Sequence, residues 1–197
     1  MRDIIQMIVV LALLGAASGG GLALVKSGTA EKIEFQQLTF VKGPAIKAIM
    51  EGCTNDPLMD RFKITHGDSE KSFYVGVYDG KPTGVAFETS GKGFGGDLGV
   101  MMGVNLETGQ LLGVGVTTHS ETPGLGSRAK DDPAFGAQFK EMPVDQSFSV
   151  KTDGGGVDAV SGATITSRGV CGALNDGVKV YTELKPKIEE QLKAFEK

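Results

Sequence analysis

Cysteine is scarce in this chain of 197 residues, in which Cys53 and Cys171 are the only two. Two cysteines are too few for an iron–sulfur cluster with four cysteine ligands, and neither lies in a C-x-x-C-H haem attachment sequence. Both cofactor classes are therefore disfavoured. An exported domain would permit a disulfide, but no rule places Cys53 next to Cys171, so two buried free thiols are the simpler expectation.

Clustered positive charge is also lacking. The chain has 20 Lys and Arg against 24 Asp and Glu, a formal net charge of −4, and its basic residues are scattered. A nucleic-acid-binding protein is expected to concentrate basic residues on one face. The sequence therefore argues against a nucleic-acid partner.

Several catalytic and metal-binding motifs are missing. No G-x-S-x-G nucleophile elbow surrounds Ser161, and the glycine-rich segment 91–96 lacks the Lys-Ser/Thr ending of a nucleotide phosphate loop. The two histidines, His66 and His119, have no set of companions at ligand spacing, although Glu121 lies near the second. We therefore expect no hydrolase centre and no metal site.

Proline is rare and glycine abundant, with seven against 30 residues. This composition favours tight turns and close backbone approaches to a ligand over a disordered linker. With 40% hydrophobic and 22% charged residues, the chain is typical of one globular domain with a small appendage.

The N-terminal segment provides that appendage. Ile4 to Val25 contains no charged residue and is long enough to cross a hydrocarbon layer of about 30 Å. Residues 1–26 are therefore predicted to form a transmembrane anchor. The alternative is a cleavable signal peptide, with the small residues 15–18 as its cleavage region. Arg2 and Lys26 flank the segment equally and do not orient it.

The rest of the chain divides into a connector with a short helix, residues 27–60, and a main domain, residues 61–197. Alternating apolar residues, and an Asp79-Gly80 hairpin signal, predict consecutive strands without intervening helices. This order is typical of an α+β fold with an antiparallel sheet and flanking helices. The predicted strands are 61–65, 72–78, 83–88, 98–106 and 111–118.

Helices are predicted beside this sheet. The short helix of the connector covers residues 41–50, and another begins at Asp132-Pro133, a cap followed by proline. A last strand is predicted at Phe148–Val150. A long helix is predicted from Ile165 until Pro186 breaks it, because apolar residues recur with helical spacing. They are Val170, Leu174, Val178 and Tyr181.

Hydroxyl and small residues crowd the start of the long helix. Ser161, Thr164 and Thr166 lie at or just before it. Their oxygens can cap free backbone N–H groups, and the same N–H groups attract an anion such as phosphate. Helix-start signals alone favour the ordinary cap.

The stretch Asp158-x-x-Ser161-Gly162-Ala163-Thr164 resembles the flavinylation signature of the FMN-binding domain family. The resemblance implies that Thr164 carries FMN through a phosphoester between its hydroxyl and the ribityl phosphate. Ser161 and Thr166 are the alternative acceptors. The implied cofactor-binding residues of this stretch are Asp158, Ser161, Gly162, Ala163, Thr164, Ile165 and Thr166.

The segment His119–Gly126 resembles the His-x-Glu-Thr-Pro-Gly-Leu-Gly loop of two membrane redox complexes, Rnf and Na⁺-pumping NADH:quinone oxidoreductase. In that family the loop lies beside the isoalloxazine ring. The resemblance implies that polar side chains meet the ring's carbonyls and nitrogens, while glycines allow close approach. The residues implied are His119, Glu121, Thr122, Gly124, Leu125 and Gly126.

Together the two segments resemble the G subunits of Rnf-type complexes. The resemblance implies an electron-transfer subunit with one covalent FMN and no complete reaction of its own, in an ion-translocating ferredoxin:NAD oxidoreductase. It implies partner subunits, a flavin transferase that uses FAD and Mg²⁺, and a single-pass inner-membrane protein whose domain faces the extracytoplasmic side. The alternatives are the C subunit of the quinone oxidoreductase and a stand-alone exported FMN- or ligand-binding module.

Overall fold

A computed structural model describes residues 2–67 and 69–195 of the chain. The outer limits of the predicted domains, residue 1 and residues 196–197, lie outside this range, as does residue 68. The chain forms two compact units, Met1–Leu38 and Thr39–Lys197.

The first unit consists mainly of helix α1, Arg2–Gln36. Its stretch Arg2–Ala30 is long and apolar enough to cross a membrane, and its apolar side chains are exposed. Helix α1 also includes residues 27–36 of the predicted connector. Residues 27–36 contain no proline, so nothing in the backbone chemistry ends the helix there.

The second unit is built on a five-stranded antiparallel sheet with the strand order β1-β2-β3-β4-β5. The predicted antiparallel α+β fold is confirmed. Each strand lies within a few residues of its predicted position, and the largest difference is that β3 continues to Lys92, where it pairs with Asp97. The strands are β1 Arg61–His66, β2 Ser69–Tyr78, β3 Lys81–Lys92, β4 Asp97–Asn105 and β5 Gln110–Thr118.

The hairpin between β2 and β3 forms at the predicted Asp79-Gly80 pair. Both residues have positive φ, 50° and 78°, and Tyr78 pairs directly with Lys81. Two positive φ values are the requirement of the two-residue turn that matches strand twist, which is why Asp-Gly is favoured there.

Helix α5, Thr164–Leu192, covers one face of the sheet, and three small residues let it approach closely. A Cβ atom on Gly169 would lie 2.4 Å from the Lys92 carbonyl oxygen, and one on Gly177 would lie 2.3 Å from Met102 Sδ. Ala173, between them, is fully buried. The main core lies in this interface, and its largest fully buried side chains include Phe73, Phe87, Leu98, Met102, Leu174 and Ile188.

Helix α2, Gly43–Ile49, packs on the opposite face, where β4 and β5 carry glycines. A Cβ atom on Gly103 would lie 2.3 Å from Ile49 Cγ2, and one on Gly115 would lie 3.3 Å from Ala45 Cβ. This helix is the one predicted at residues 41–50. Because these glycines lack side chains, α2 packs directly against the backbone of β4 and β5.

Two short helices follow β5: α3, Arg128–Asp131, and α4, Pro133–Ala137. The predicted cap of α4 is confirmed, since the Asp132 carboxylate accepts a hydrogen bond from the Ala134 N–H at 3.0 Å. Phe135 and Phe139 pack edge to face, with ring centroids 5.6 Å apart.

The predicted strand at Phe148–Val150 is wrong. Val150 makes only an isolated bridge to Val157. The Asn175 side chain of α5 instead accepts from the Phe148 N–H and donates to its carbonyl, both at 2.8 Å. These two bonds satisfy the backbone groups that a strand ladder would use.

The predicted break of the long helix at Pro186 is also wrong, because α5 continues to Leu192. Proline removes one helical hydrogen bond and disfavours the helix interior. Ile188 and Leu192 are buried in the core beyond it. Burial of such side chains contributes about 1.5–3 kcal/mol each, which offsets the proline cost.

Candidate functional site

Helix α5 begins at Thr164, and its start has no side-chain cap. The N-cap position belongs to Ala163, which follows Gly162 at a φ of +78°. The expectation that Ser161, Thr164 or Thr166 caps the helix is therefore wrong, because an alanine occupies the capping position. The first N–H groups of the helix, which lack intrahelical acceptors, remain available to an anion.

A serine that the sequence analysis missed shapes the turn before this helix. The buried Ser167 hydroxyl accepts from the Val160 N–H at 2.9 Å and donates to the Ala163 carbonyl at 3.1 Å. These bonds close residues 160–163 into a compact turn. Thr164 is half-buried directly after that turn, whereas Ser161 is exposed.

Glu121 connects the two sequence motifs. Its side chain is only 7% exposed. One carboxylate oxygen accepts from the Thr166 hydroxyl at 2.7 Å, and the other accepts from the Gly95 N–H at 2.8 Å. The structure therefore places this carboxylate on protein donors from the first turn of α5 and from the glycine-rich turn between β3 and β4.

A hydrophobic contact also joins the motifs. A Cβ atom on Gly162 would lie 2.9 Å from Leu125 Cδ1, so Leu125 packs over the glycine. Leu125 and Ile165 nevertheless remain 46% and 48% exposed. The two segments thus present apolar side chains around the helix start.

Ser127 holds the turn at Pro123-Gly124 within the loop. Its hydroxyl accepts from the Gly124 N–H at 2.9 Å, and Gly124 has a φ of +73°. His119 accepts from the Glu121 N–H through Nδ1 at 3.2 Å, while Thr122 is exposed. Ser127 follows the recognised motif directly, and no local pattern marks its role.

Asp158 is held through its backbone by Gln138. The Gln138 side chain accepts from the Asp158 N–H at 2.7 Å and donates to its carbonyl at 3.1 Å. The exposed Asp158 carboxylate pairs with Lys151 Nζ at 2.7 Å. These contacts fix the segment that leads into the helix start.

Arg168 of α5 pairs with Asp153, which precedes the helix start in sequence. Its guanidinium donates to both carboxylate oxygens of Asp153, at 2.7 and 2.6 Å. These hydrogen bonds, and the arginine charge, hold the pKa of Asp153 below its usual value. Bidentate geometry of this kind is directional as well as attractive.

Two clefts border the helix start. The first has a volume of about 540 Å³ and includes Ile165, Arg168 and Lys92 in its lining. The second, about 300 Å³, is lined by residues that include Ser161 and Arg128. Both volumes lie at or above the lower limit for small-molecule sites. Ser161 lines one cleft and Ile165 the other, and Thr164 lies between these two residues in sequence.

Comparison with known families and proteins identifies the domain. The FMN-binding domain family matches residues 93–179, which contain both motifs. The G subunit of the ion-translocating oxidoreductase complex from Cereibacter sphaeroides is 38% identical over 133 residues, covering 64% of this chain and 60% of that protein. The G subunit from Vibrio cholerae is 31% identical over 199 residues, covering 92% of each chain. The G subunit from Methanosarcina acetivorans is 30% identical and covers 90% of this chain and 94% of that protein.

Solved structures show the same fold. The C subunit of the Na⁺-translocating NADH-quinone reductase from Parabacteroides distasonis superposes with a TM-score of 0.53 and 26% identity, covering 62% of this chain and 75% of that one. NqrC of Shewanella oneidensis gives a TM-score of 0.52 at 26% identity, covering 71% and 72%. Because the Vibrio relative is 31% identical and matches 92% of each chain, this chain belongs to the family of G subunits of ion-translocating oxidoreductase complexes.

Proposed function

We propose that this chain is an electron-transfer subunit that carries one FMN, attached by a phosphoester to Thr164. The proposal rests on the arrangement of residues around the start of α5. Thr164, a half-buried threonine, is the first residue of a helix without a side-chain cap, and the loop His119–Gly126 contacts this helix start through Glu121 and Leu125. The match to the FMN-binding domain family supports the choice of ligand.

The residues around Thr164 fit the phosphate end of FMN. Gly162 and Ala163 add little side-chain bulk before Thr164, and the uncapped N–H groups and helix dipole would stabilise the phosphodiester charge. No side chain that would compete for these N–H groups caps the helix. Ser161 and Thr166 are the alternative acceptors, but the Thr166 hydroxyl is buried and bonded to Glu121.

The loop supplies the surroundings of the flavin ring in this proposal. When bound, FMN supplies the electron chemistry, and the protein orients it and adjusts its potential. His119 and Thr122 would contribute polar contacts, Gly124 and Gly126 would allow backbone approach, and Leu125 would contribute apolar surface. Ile165 and Asp158 flank the attachment point, with Asp158 offering an exposed carboxylate.

The chain would work within a membrane-bound Rnf-type ferredoxin:NAD oxidoreductase that moves ions, without a complete reaction of its own. Relatives of this chain are named as G subunits of an ion-translocating oxidoreductase complex. The apolar stretch Arg2–Ala30 would anchor it in the inner membrane, with the domain on the extracytoplasmic side. A C-terminal alkaline phosphatase fusion should be active, and a C-terminal green fluorescent protein fusion dark. The reverse pattern would place the domain in the cytoplasm.

Attachment requires a flavin transferase, which we propose as the maturation partner. Co-expression with such an enzyme should yield a yellow protein whose flavin survives denaturing electrophoresis. Thr164→Ala should remain folded but lose the flavin band, whereas Ser161→Ala should keep it. A fluorescent Thr164→Ala band would move the acceptor elsewhere.

A second candidate is the C subunit of a Na⁺-translocating NADH-quinone reductase, which the solved neighbours favour. Affinity purification from native membranes separates the two, because each complex brings different partner subunits. Purification without any partner would favour the third candidate, a stand-alone exported FMN- or ligand-binding module.

A further inference from the structure

We infer that Glu121 is a positioning residue for flavin attachment, which acts through Thr166 to hold the first turn of α5 so that the Thr164 hydroxyl is presented. This inference rests on the proposed attachment at Thr164. It assigns to Glu121 a role away from the flavin ring, because both carboxylate oxygens are already bonded to protein donors.

The contacts of Glu121 tie together three separate segments. Gly95 belongs to the turn between β3 and β4, Glu121 to the loop after β5, and Thr166 to the first turn of α5. A buried carboxylate without donors is costly, so these bonds hold the three segments in a single arrangement.

Glycines in two of these segments make space for the carboxylate. A Cβ atom on Gly93 would lie 2.3 Å from Glu121 Oε1, and one on Gly126 would lie 2.2 Å from Oε2. Any side chain at either position would displace the carboxylate. The space that Glu121 occupies therefore requires glycine at the last position of the loop motif.

The start of α5 depends on the hydrogen bonds of Glu121 because the helix lacks a side-chain cap. Uncapped helix ends fray, and fraying would spread the positions of the Thr164 oxygen. Thr166 lies two residues beyond Thr164, within the same turn. Its bond to a buried carboxylate, together with the Ser167 bonds, holds this turn by side chains.

The reaction that needs this positioning is transfer of FMN from FAD. The Thr164 oxygen forms a bond to the phosphorus of the FMN half, the bond from that phosphorus to the AMP oxygen breaks, and AMP leaves. The hydroxyl proton passes to solvent. Because one P–O bond replaces another, nothing is oxidised or reduced. Phosphoryl transfer is governed mainly by the placement of attacking and leaving oxygens, so a mobile acceptor reacts slowly.

The test is the initial rate of FMN incorporation, measured with purified apoprotein, FAD, Mg²⁺ and limiting flavin transferase. Thr166→Val removes the hydroxyl at constant shape, and Thr166→Ser keeps it. Thr89→Val is the matched control, because the Thr89 hydroxyl is also buried and bonds to α5, at the Ala173 carbonyl at 3.1 Å. Thermal unfolding of each apoprotein gives the change in stability.

We expect Thr166→Val to incorporate FMN about tenfold more slowly, the effect of losing one hydrogen bond to a buried charged group. Thr166→Ser should recover most of the rate. Thr89→Val should lose comparable stability yet incorporate FMN at the wild-type rate. Glu121→Gln should stay within about threefold, because its amide can accept from Gly95 and donate to Thr166.

Equal rates for Thr166→Val and Thr89→Val would overturn the inference, as would a slow Thr166→Ser. If Thr166→Val does not fold, Thr166→Ala replaces it in the comparison with Thr166→Ser, and the same two outcomes decide. A wild-type protein that takes up no FMN at Thr164 would instead defeat the proposed function. The two failures are therefore distinguishable.

Discussion

Leu125 lies directly over Gly162, where a Cβ atom on the glycine would be 2.9 Å from Leu125 Cδ1. Gly162 also has a φ of +78°, which residues other than glycine adopt at a cost of about 1–2 kcal/mol. The contact brings the loop His119–Gly126 onto the stretch that precedes Thr164. It is a tertiary relationship that neither motif reveals alone.

Gly162→Ala should therefore destabilise the domain and slow flavin attachment. Alanine disfavours the positive φ at this position, and its methyl group would clash with Leu125. Gly124→Ala is the control, since Gly124 has a φ of +73° but nothing within 4 Å of the position that an added methyl group would take. Urea unfolding and incorporation rates should show a larger effect for Gly162→Ala. Equal effects on both measurements would mean that the Leu125 contact contributes nothing.

Two glycines of α5 should respond oppositely to alanine. A Cβ atom on Gly169 would lie 2.4 Å from the Lys92 carbonyl oxygen, so Gly169→Ala should destabilise the domain by about 3 kcal/mol through overpacking. Gly172 has nothing within 4 Å, so Gly172→Ala should stabilise it by up to ~1 kcal/mol through helix propensity. Urea unfolding of the apoproteins measures both free energies. A stable Gly169→Ala protein would contradict the close packing of α5 on β3.

Stability should decline at alkaline pH. Burial, with a smaller contribution from Asp153, raises the pKa of the Cys171 thiol to about 11, and burial raises the pKa of Tyr78 to about 12. The unfolded chain therefore loses these protons at lower pH than the folded chain does. By linkage, the stability is retained below about pH 9 and falls as pH rises towards 11.

Urea midpoints between pH 7 and 10.5 would measure this decline. Cys171→Ala should show a shallower slope than the wild type above pH 9, because one raised pKa is removed. An unchanged slope would show that Cys171 does not titrate differently in the folded and unfolded chains.

The N-terminal helix should control membrane association alone. Removal of residues 2–30 should leave a soluble protein with its sheet intact, since the buried hydrophobic side chains among the described residues all follow residue 37. The full chain should stay in the membrane pellet after carbonate washing and leave it in detergent. A truncated chain that still pellets would point to a further membrane contact.

Local patterns were sufficient for most of the fold. Strand alternation placed all five strands, and Asp79-Gly80 marked its hairpin because that turn needs two positive φ values. Helical spacing from Val170 to Tyr181 identified α5. These features depend on residues close in sequence, which is why the sequence analysis found them.

The errors arose where distant contacts decide the outcome. Pro186 does not end α5 because Ile188 and Leu192 pack into the core, and Phe148 is not in a strand because Asn175 satisfies its backbone. The bond from Thr166 to Glu121 spans the two motifs and follows no local spacing. Motif resemblance indicated that the two segments belong to one site but did not indicate how they touch.

The most direct test of this account is mass spectrometry of the chain co-expressed with a flavin transferase. We expect an added mass of one FMN less one water on the intact protein, mapped by peptide fragmentation to Thr164. An unmodified Thr164 peptide in transferase-containing cells, or the same addition on Ser161 or Thr166, would contradict it.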